Sequence, residues 1–400
     1  MTTEPAGLRV TRPPSEFLSE KVRSLQPSGI RRFFDMLAEM TDVISLTIGE
    51  PDFTTPEPIT RAAIASLEAG ETHYTANGGM IQLREAIVAD LAHRYGIRYD
   101  ARTELIITVG ASEAVDAALR AICDPGDEVI YHEPSFVAYA PCITLAGGVP
   151  VPISTGDETD FQMTAAQLEA AITPRTKALF LGYPNNPTGA VLDRDELEKI
   201  AAVIDRHDLM VVSDEIYERL VYGGHEHVPF SALPGMRDRT VLIGGFSKSY
   251  AMTGWRIGWV AAPAPIMVGI AKVHQYGIMC APTVAQFAAL EALRSGEPFV
   301  IEMHDEYDRR RQLMTRRFNE IGLRCFEPRG AFYCFPNITR TGLDDETFAR
   351  ALLEEERVAV VPGTAFGPSG AHHVRACYAT AYEEIVEAMD RIGRFVTRHA

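Results

Sequence analysis

The sequence predicts an α/β fold, with a large domain built on a mostly parallel β-sheet between helices and a smaller α+β domain after it. From about residue 104, short apolar runs rich in β-branched residues alternate with amphipathic stretches, as in repeated βαβ units. From about residue 282 the pattern changes to long helical stretches followed by short strands. A chain of 400 residues with 46% hydrophobic content can bury a core in each domain.

The strands of the large domain are predicted from apolar runs that end in polar or small residues. In chain order these runs are ELIITVG (104–110), DEVIYHEP (127–134), KALFLGYP (177–184), LMVVSDE (209–215), 240–246 and 255–262. Amphipathic segments such as ASEAVDAALRAI (111–122) and RDELEKIAAVIDRH (194–207) separate them and are predicted helices.

The C-terminal region begins with helical patterns over 282–294 and 297–321. LRCFEPRGAFYCFPNI, a further helix, VAVVPG, HHVRACYA and a terminal helix complete it. We therefore place the large domain at 46–285 and the small domain at 286–400. Residues 1–45, which include the amphipathic GIRRFFDMLAEM, are expected to form an arm and part of the small domain, packing there or on a partner subunit.

Charge and composition argue against several classes of partner. A net charge of −16 disfavours nucleic acids and anionic membranes, which both require a basic surface. The chain has no apolar stretch of 18 residues and no signal-peptide pattern, so a cytoplasmic location is expected. The six cysteines are scattered singly and no metal-ligand motif occurs, so we expect reduced core thiols and no metal site.

Polar residues at the ends of the predicted strands are the candidates for a ligand site, because ligands bind at the carboxyl ends of strands in open parallel sheets. Asp214 ends the run LMVVSD, and a buried carboxylate needs a facing cation or several donors. Tyr217, three residues later, would share a helical face with it. A simple helix N-cap is the alternative interpretation of Asp214.

Lys248 stands in TVLIGGFSKSYAMTGWRIGWVAA (240–262), between Ser247 and Ser249 and eight residues before Arg256. A lysine in a partly dry pocket beside another cation loses its proton more readily and can form an imine. The planar guanidinium of Arg256 suits a phosphate. A surface lysine and an ordinary salt bridge are the alternatives.

Two further segments supply candidate anion and amide groups. In TVGASEAVDAALRAI (108–122), free N–H groups at the helix start and the Ser112 hydroxyl could bind an anion, or simply cap the helix. In YPNNPTGAVLDRDEL (183–197) a turn is predicted, followed by Asp193 and Glu196 at the spacing of a capping box. Turn chemistry leaves open whether Asn186 faces a ligand.

Together these groups fit pyridoxal phosphate. Its aldehyde needs the lysine and its pyridine nitrogen the aspartate, while Tyr217 and Asn186 suit its phenolic oxygen, Phe136 its ring, and the arginine and helix start its phosphate.

The sequence resembles the class I pyridoxal-phosphate aminotransferases of fold type I, in the branch of bacterial aspartate, aromatic and acyl-diaminopimelate aminotransferases. The resemblance covers nearly the whole chain and implies a seven-stranded sheet. Its markers, in the family's order, are SLTIGEPDF (45–53), HYTANGGMIQLREAI (73–87), NNPTG (185–189), SDEIY (213–217), SKSYAMTGWRIG (247–258) and VRACYA (374–379).

The resemblance implies a role for each matched residue. Lys248 would form the internal aldimine and shuttle a proton, with Asp214, Tyr217 and Asn186 on the ring and its phenolic oxygen. Phe136 matches the stacking aromatic, and the phosphate binders correspond to Ala111, Ser112, Ser247 and Arg256. Arg375 and the Gly49 backbone match the group that holds the substrate's α-carboxylate; a core arginine paired with an acid is the alternative for Arg375. Tyr74 would reach the neighbouring subunit's phosphate, which implies a homodimer.

Two positions depart from the family pattern. Many relatives carry a hydroxyl residue three positions before the lysine, as a further phosphate ligand, where this chain has Gly245. Some aspartate-specific members have a lysine at the position of Ser112, and its absence weakens an aspartate assignment. The preferred amino donor is therefore open among the aspartate, aromatic and acyl-diaminopimelate types.

The leading functional hypothesis is an aminotransferase with a ping-pong mechanism, passing the amino group of an L-amino acid to a 2-oxo acid, expected to be 2-oxoglutarate. A pyridoxal-phosphate β-lyase acting on cysteine conjugates would use the same residues and is the alternative. A ligand-sensing regulatory domain is disfavoured, because only about 45 residues precede the resemblance and the chain is acidic.

Overall fold

The computed structural model describes residues 12–25 and 41–399. Its strands, in chain order, are β1 (Ile44–Ser45), β2 (Leu105–Thr108), β3 (Glu128–Glu133), β4 (Val149–Ser154), β5 (Thr176–Leu181), β6 (Met210–Asp214), β7 (Thr240–Gly245), β8 (Gly258–Ala261), β9 (Tyr333–Cys334), β10 (Val358–Ala359), β11 (Val361–Pro362) and β12 (Val374–Cys377). All six strands predicted for the large domain are present, with bounds within three residues of those predicted.

Seven of these strands form one sheet in the order β2-β8-β7-β6-β5-β3-β4. Strand β8 runs antiparallel to both of its neighbours, and the other strands share one direction. The predicted mostly parallel, seven-stranded α/β sheet is therefore confirmed. Because β8 is reversed, its first residue lies at the edge where the other strands end, and Gly258 pairs with both Thr108 and Gly245.

Helices cover both faces of the sheet. The described helices are α1 (Glu20–Ser24), α2 (Glu57–Glu68), α3 (Ile81–Tyr95), α4 (Gly110–Ile122), α5 (Tyr139–Ala146), α6 (Ala165–Ala171), α7 (Arg194–Arg206), α8 (Ala264–Gly277), α9 (Thr283–Ser295), α10 (Glu297–Ile321), α11 (Asp345–Glu356) and α12 (Tyr382–His399). Alternate strand residues enter opposite cores: Ile106 packs with α4 and α8, whereas Leu105 and Ile107 pack with α2, α3 and α9. Two-sided burial explains why the strands are apolar without alternation.

The C-terminal region is an α+β unit. Strands β11, β12 and β9 form an antiparallel sheet, and β1 pairs in parallel with β10. Their side chains share a core with α10, α11 and α12 that includes Phe332, Phe348 and Phe395. Part of the predicted arm, at Ile44–Ser45, thus contributes a strand here, while GIRRFFDMLAEM lies outside the described residues.

Two local predictions are wrong. Asp193 is the N-cap residue of α7, but its side chain makes no capping bond. Glu196 does not complete the predicted capping box either, because it accepts the N–H of Ala165 and binds Lys199. Asp214 and Tyr217 do not share a helical face, because a turn follows β6 and Asp214 Oδ1 accepts the Ile216 N–H within it. In the described part of the chain, no helix is both long and apolar enough to cross a membrane.

Candidate active site

A cavity of about 330 Å³ lies where the strands of the large sheet end. Eleven of the predicted site residues line it: Gly49, Ala111, Ser112, Phe136, Asn186, Asp214, Tyr217, Ser247, Lys248, Arg256 and Arg375. Tyr74 is the exception among the predicted residues, because it lies outside this cavity and its side chain is 78% exposed.

Strand direction explains this convergence. Ala111, Phe136, Asn186 and Lys248 follow the carboxyl ends of β2, β3, β5 and β7, which meet at one edge. Arg256 precedes β8, and the reversed direction of that strand brings it to the same edge.

The start of α4 and the segment before β8 approach each other closely at this edge. Gly110 has φ +71° and Arg256 has φ +52°. A Cβ on Gly110 would lie 2.8 Å from Arg256 Nη2, and a Cβ on Gly258 would lie 2.7 Å from the Ala111 nitrogen. Glycine at both positions therefore permits the close contact.

Lys248 lies in an apolar part of the cavity. Its Nζ donates to the Gly49 carbonyl over 2.7 Å and lies 5.7 Å and 5.6 Å from the ring centroids of Tyr217 and Phe332. Burial lowers the pKa of Lys248 to about 8, with the positive charges of Arg375 and Arg256 adding to the effect. A substantial neutral fraction near neutral pH makes this amine nucleophilic.

Asp214 is buried at the end of β6. Its Oδ2 accepts a hydrogen bond from the Tyr139 hydroxyl over 3.0 Å, and its Oδ1 accepts the Ile216 N–H over 3.2 Å. Burial raises the pKa of Asp214 to about 6, although these hydrogen bonds oppose the shift. A carboxylate in this setting gains from a protonated nitrogen placed against it.

Arg375 extends from β12 into the cavity and is only 3% exposed. Its Nη1 donates to Asn186 Oδ1 over 2.9 Å and its Nη2 to the Thr47 carbonyl over 2.6 Å. The guanidinium carbon lies 4.6 Å from the Tyr333 ring centroid and 4.9 Å from that of Phe366. Its Nε has no hydrogen-bond partner in the described part of the chain. No acid pairs with it there, which favours a carboxylate ligand over the core ion pair.

One end of the cavity, the candidate anion-binding end, combines a helix start with hydroxyl groups and a cation. Ala111 and Ser112 are in the first turn of α4, whose free N–H groups and dipole favour a negative charge. Ser247 and Arg256 line the same cavity, and Arg256 Nη1 is held by the Thr253 carbonyl at 2.9 Å.

Gly245 is closely packed. A Cβ there would lie 2.9 Å from Ile216 Cδ1 and 3.3 Å from the Gly258 Cα. A hydroxyl residue at this position would therefore have to displace Ile216, which itself lines the cavity.

Two tyrosines of the site were not predicted from the sequence. Tyr139 binds Asp214, and Tyr333 has its hydroxyl 2.8 Å from that of Tyr217. Tyr139 follows Phe136 by three residues, a spacing that could have indicated it. Tyr333 belongs to the C-terminal unit, and nothing in its local sequence indicates contact with the large sheet.

No group of three or more potential metal ligands occurs among His, Cys, Asp and Glu within residues 12–25 and 41–399. The six cysteines are free, and four of them are buried.

Comparison with known proteins agrees with this geometry. Residues 41–392 match the family described as aminotransferase class I and II. YugH of Bacillus subtilis is 51% identical over 96% of this chain and 99% of that protein. An aspartate aminotransferase of Pyrococcus abyssi is 46% identical over 94% and 97% of the two chains. The crystal structure of an aromatic aminotransferase from Pyrococcus horikoshii matches with a TM-score of 0.88 at 46% identity, and the match covers 92% of this chain and 99% of that one. The chain belongs to the class I and II aminotransferases of fold type I, transferases that depend on pyridoxal phosphate.

Proposed function

We propose that this aminotransferase moves the amino group of an L-amino acid to a 2-oxo acid, with 2-oxoglutarate as the acceptor, in two half-reactions at one site. One observation carries the proposal: a single cavity holds the amine of Lys248, the carboxylate of Asp214 and the guanidinium groups of Arg256 and Arg375. These groups can bind a cofactor and a substrate carboxylate at the same time.

The residues present fit pyridoxal phosphate. The donor set at the start of α4, with Ser247 and Arg256, suits its phosphate, and Phe136 offers a flat apolar surface to its ring. The carboxylate of Asp214 suits its ring nitrogen, and the amine of Lys248 suits its aldehyde. When bound, the cofactor supplies an electron-accepting ring that stabilises negative charge at the substrate Cα.

In this proposal Lys248 has two functions. Its neutral amine would hold the cofactor through the aldehyde carbon. Its Nζ would also take the proton from the substrate Cα and hold it for return at the cofactor's C4′ position. The pKa of about 8 allows the amine to accept and return a proton near neutral pH.

Asp214, Tyr217 and Asn186 would set the charge of the cofactor ring. Asp214 would keep a proton on the ring nitrogen, because the ion pair would offset the cost of burying its carboxylate. Tyr139 keeps the carboxylate in position from the other side. Tyr217 and Asn186 would hydrogen-bond the phenolic oxygen.

Arg375 would hold the substrate's α-carboxylate, with the Gly49 backbone beside it. Its Nε is without a partner among the described residues, and Tyr333 and Phe366 fix the plane of its guanidinium. A planar fork fixed in this way can bind a carboxylate through two parallel hydrogen bonds. The arginine would thereby orient the Cα proton toward Lys248.

The remaining predictions extend this proposal. The large domain is proposed at 46–285 and the small domain at 286–400, with residues 1–45 as an arm and part of the small domain. The exposed Tyr74 is compatible with a homodimer in which it reaches the neighbouring site. The cytoplasmic location stays a prediction.

Steady-state kinetics test the proposal. Initial rates with 2-oxoglutarate and a series of L-amino acids should give parallel double-reciprocal lines, as two half-reactions require. Arg375→Lys should keep the charge but lose the bidentate fork, so KM for all amino donors should rise by at least tenfold. Intersecting lines would contradict the mechanism, and pyruvate with ammonia formed in the absence of an acceptor would favour the β-lyase.

A further inference from the structure

His274 links two segments next to the anion-binding end of the cavity. It lies in the last turn of α8 and is 1% exposed. One ring nitrogen, Nδ1, lies 2.5 Å from Glu113 Oε1. The other, Nε2, lies 2.8 Å from the carbonyl oxygen of Asn77.

Both ring nitrogens of His274 therefore face acceptors. A carbonyl oxygen can only accept, so Nε2 must donate to Asn77. Glu113 Oε2 already accepts the Val109 N–H over 2.5 Å, which leaves Oε1 as the oxygen that faces the ring. A neutral imidazole has a single donor nitrogen, whereas the imidazolium form satisfies both contacts.

The surroundings agree with a charged ring. Burial lowers the pKa of His274, but the hydrogen bond and the charge of Glu113, with the Asn77 carbonyl, outweigh burial and raise it overall. From α4 the titratable group that faces the ring is Glu113, and from the 73–79 segment the facing group is the Asn77 carbonyl.

The two partners of His274 belong to functionally relevant segments. Glu113 follows Ser112 in the first turn of α4, and its bond to Val109 closes the start of that helix. Asn77 lies three residues after Tyr74, and its side chain donates to the Met279 carbonyl over 2.8 Å. The ring thus connects the phosphate-facing helix start with the segment that carries Tyr74.

We infer that His274 is a positioning residue: its protonated ring fastens the start of α4 to the 73–79 segment and so determines how firmly the chain holds the cofactor's phosphate. This inference rests on the proposed function, because it takes Ala111, Ser112 and Tyr74 as phosphate contacts. Above its own pKa the ring loses a proton, and one of the two hydrogen bonds is lost with it.

The test measures how fast the loaded enzyme releases pyridoxal phosphate at a series of pH values from neutral to alkaline. The readout is the visible absorbance that the protein retains after gel filtration. His274→Asn should release the cofactor about tenfold faster than wild type at neutral pH. The ratio of the two rates should fall toward one as the pH rises. Using the ratio removes the titration of Lys248, which both proteins share.

Glu113→Gln provides a second variant, since it keeps an acceptor for Val109 but removes the charge that stabilises the cation. The pH at which release accelerates should move downward in this variant. If His274→Asn does not fold, the pH profile of Glu113→Gln alone tests the inference. His304→Asn is the matched control, because His304 also bridges a carboxylate (Asp305, 3.1 Å) and a carbonyl (Val221, 2.9 Å) but contacts neither α4 nor the 73–79 segment through these bonds.

A rate ratio that is the same at every pH, or an unshifted profile in folded Glu113→Gln, would overturn the inference. If wild type retains cofactor and His274→Asn matches it throughout, the inference alone fails. If wild type retains no pyridoxal phosphate at any pH, the proposed function fails with it.

Discussion

The hydroxyl groups of Tyr217 and Tyr333 lie 2.8 Å apart, although the two residues belong to different parts of the fold. Tyr217 follows β6 in the large sheet, and Tyr333 begins β9 in the C-terminal unit. The ring of Tyr333 also supports the guanidinium of Arg375, at 4.6 Å. Tyr333 thus contacts both Tyr217, which is proposed to bind the cofactor, and Arg375, which is proposed to bind the substrate carboxylate.

Tyr333→Phe separates these two contacts, because it removes the hydroxyl and keeps the ring. We expect kcat to fall about tenfold, since Tyr217 loses its orienting hydrogen bond, while KM changes by less than about twofold. Steady-state kinetics measure both constants. Tyr222→Phe is a suitable control, because it removes another buried hydroxyl, bound to the Ala331 carbonyl at 2.7 Å. A rise in KM at unchanged kcat would show that the hydroxyl acts on substrate binding and not through the orientation of Tyr217.

The lowered pKa of Lys248 predicts how cofactor attachment depends on pH. Only the neutral amine attacks an aldehyde, so the attachment rate to cofactor-free protein should rise with pH and level off above about 8. Stopped-flow absorbance after mixing with pyridoxal phosphate measures this rate. A midpoint near the ordinary lysine value of 10.5 would show that burial does not act on this amine as described.

Asp214→Asn should reduce activity and stabilise the cofactor-free protein. Without the charge that holds a proton on the ring nitrogen, kcat/KM should fall about 10³-fold. The raised pKa of Asp214 means that its ionisation destabilises the fold, from pH 3.8 upward and fully above about 6. The variant should therefore gain on the order of 3 kcal/mol in free energy of unfolding at neutral pH.

Urea unfolding of both cofactor-free proteins measures this difference. The stability difference between variant and wild type should shrink as the pH falls from about 6 to 3.8, because Asp214 in the folded wild type becomes protonated over this range. A variant that is less stable than wild type at neutral pH would mean that the carboxylate is not a net cost to the fold.

Gly258→Ala should weaken cofactor binding, because its Cβ would lie 2.7 Å from the Ala111 nitrogen and from the Gly110 carbonyl carbon. Because these are backbone atoms, the clash can be relieved only if the start of α4 shifts, which should cost about 1–3 kcal/mol of stability. Thermal unfolding and a cofactor titration measure the two effects. Gly269→Ala is the control: in α8 its Cβ would meet Ala121 at 3.5 Å, an ordinary contact, and helix propensity should make it neutral or stabilising. Equal behaviour of the two variants would contradict the close-approach argument.

Much of the large domain and its site could be predicted from sequence, because the determining features are local. Because both faces of the sheet are buried, each strand appears in the sequence as a continuous apolar run. The sheet topology then brings Lys248, Asp214 and Asn186 to one edge.

What could not be predicted depends on contacts between distant segments. Tyr333 reaches the site through its contact with Tyr217, 116 residues earlier in the chain. Glu196 does not cap its own helix because it accepts the N–H of Ala165 instead. The prediction that Asp214 and Tyr217 share a helical face is wrong, because the Asp214 side chain accepts the Ile216 N–H and so favours a turn.

The most direct test of the central claim is to find which lysine holds the cofactor. The chain has five lysines, and Lys21, Lys177, Lys199 and Lys272 are exposed whereas Lys248 lines the cavity. Enzyme loaded with pyridoxal phosphate is reduced with borohydride, digested and examined by mass spectrometry. The account predicts a stoichiometric pyridoxyl group on Lys248 and its absence in Lys248→Ala. Label spread over the exposed lysines, with Lys248 unmodified, would contradict it.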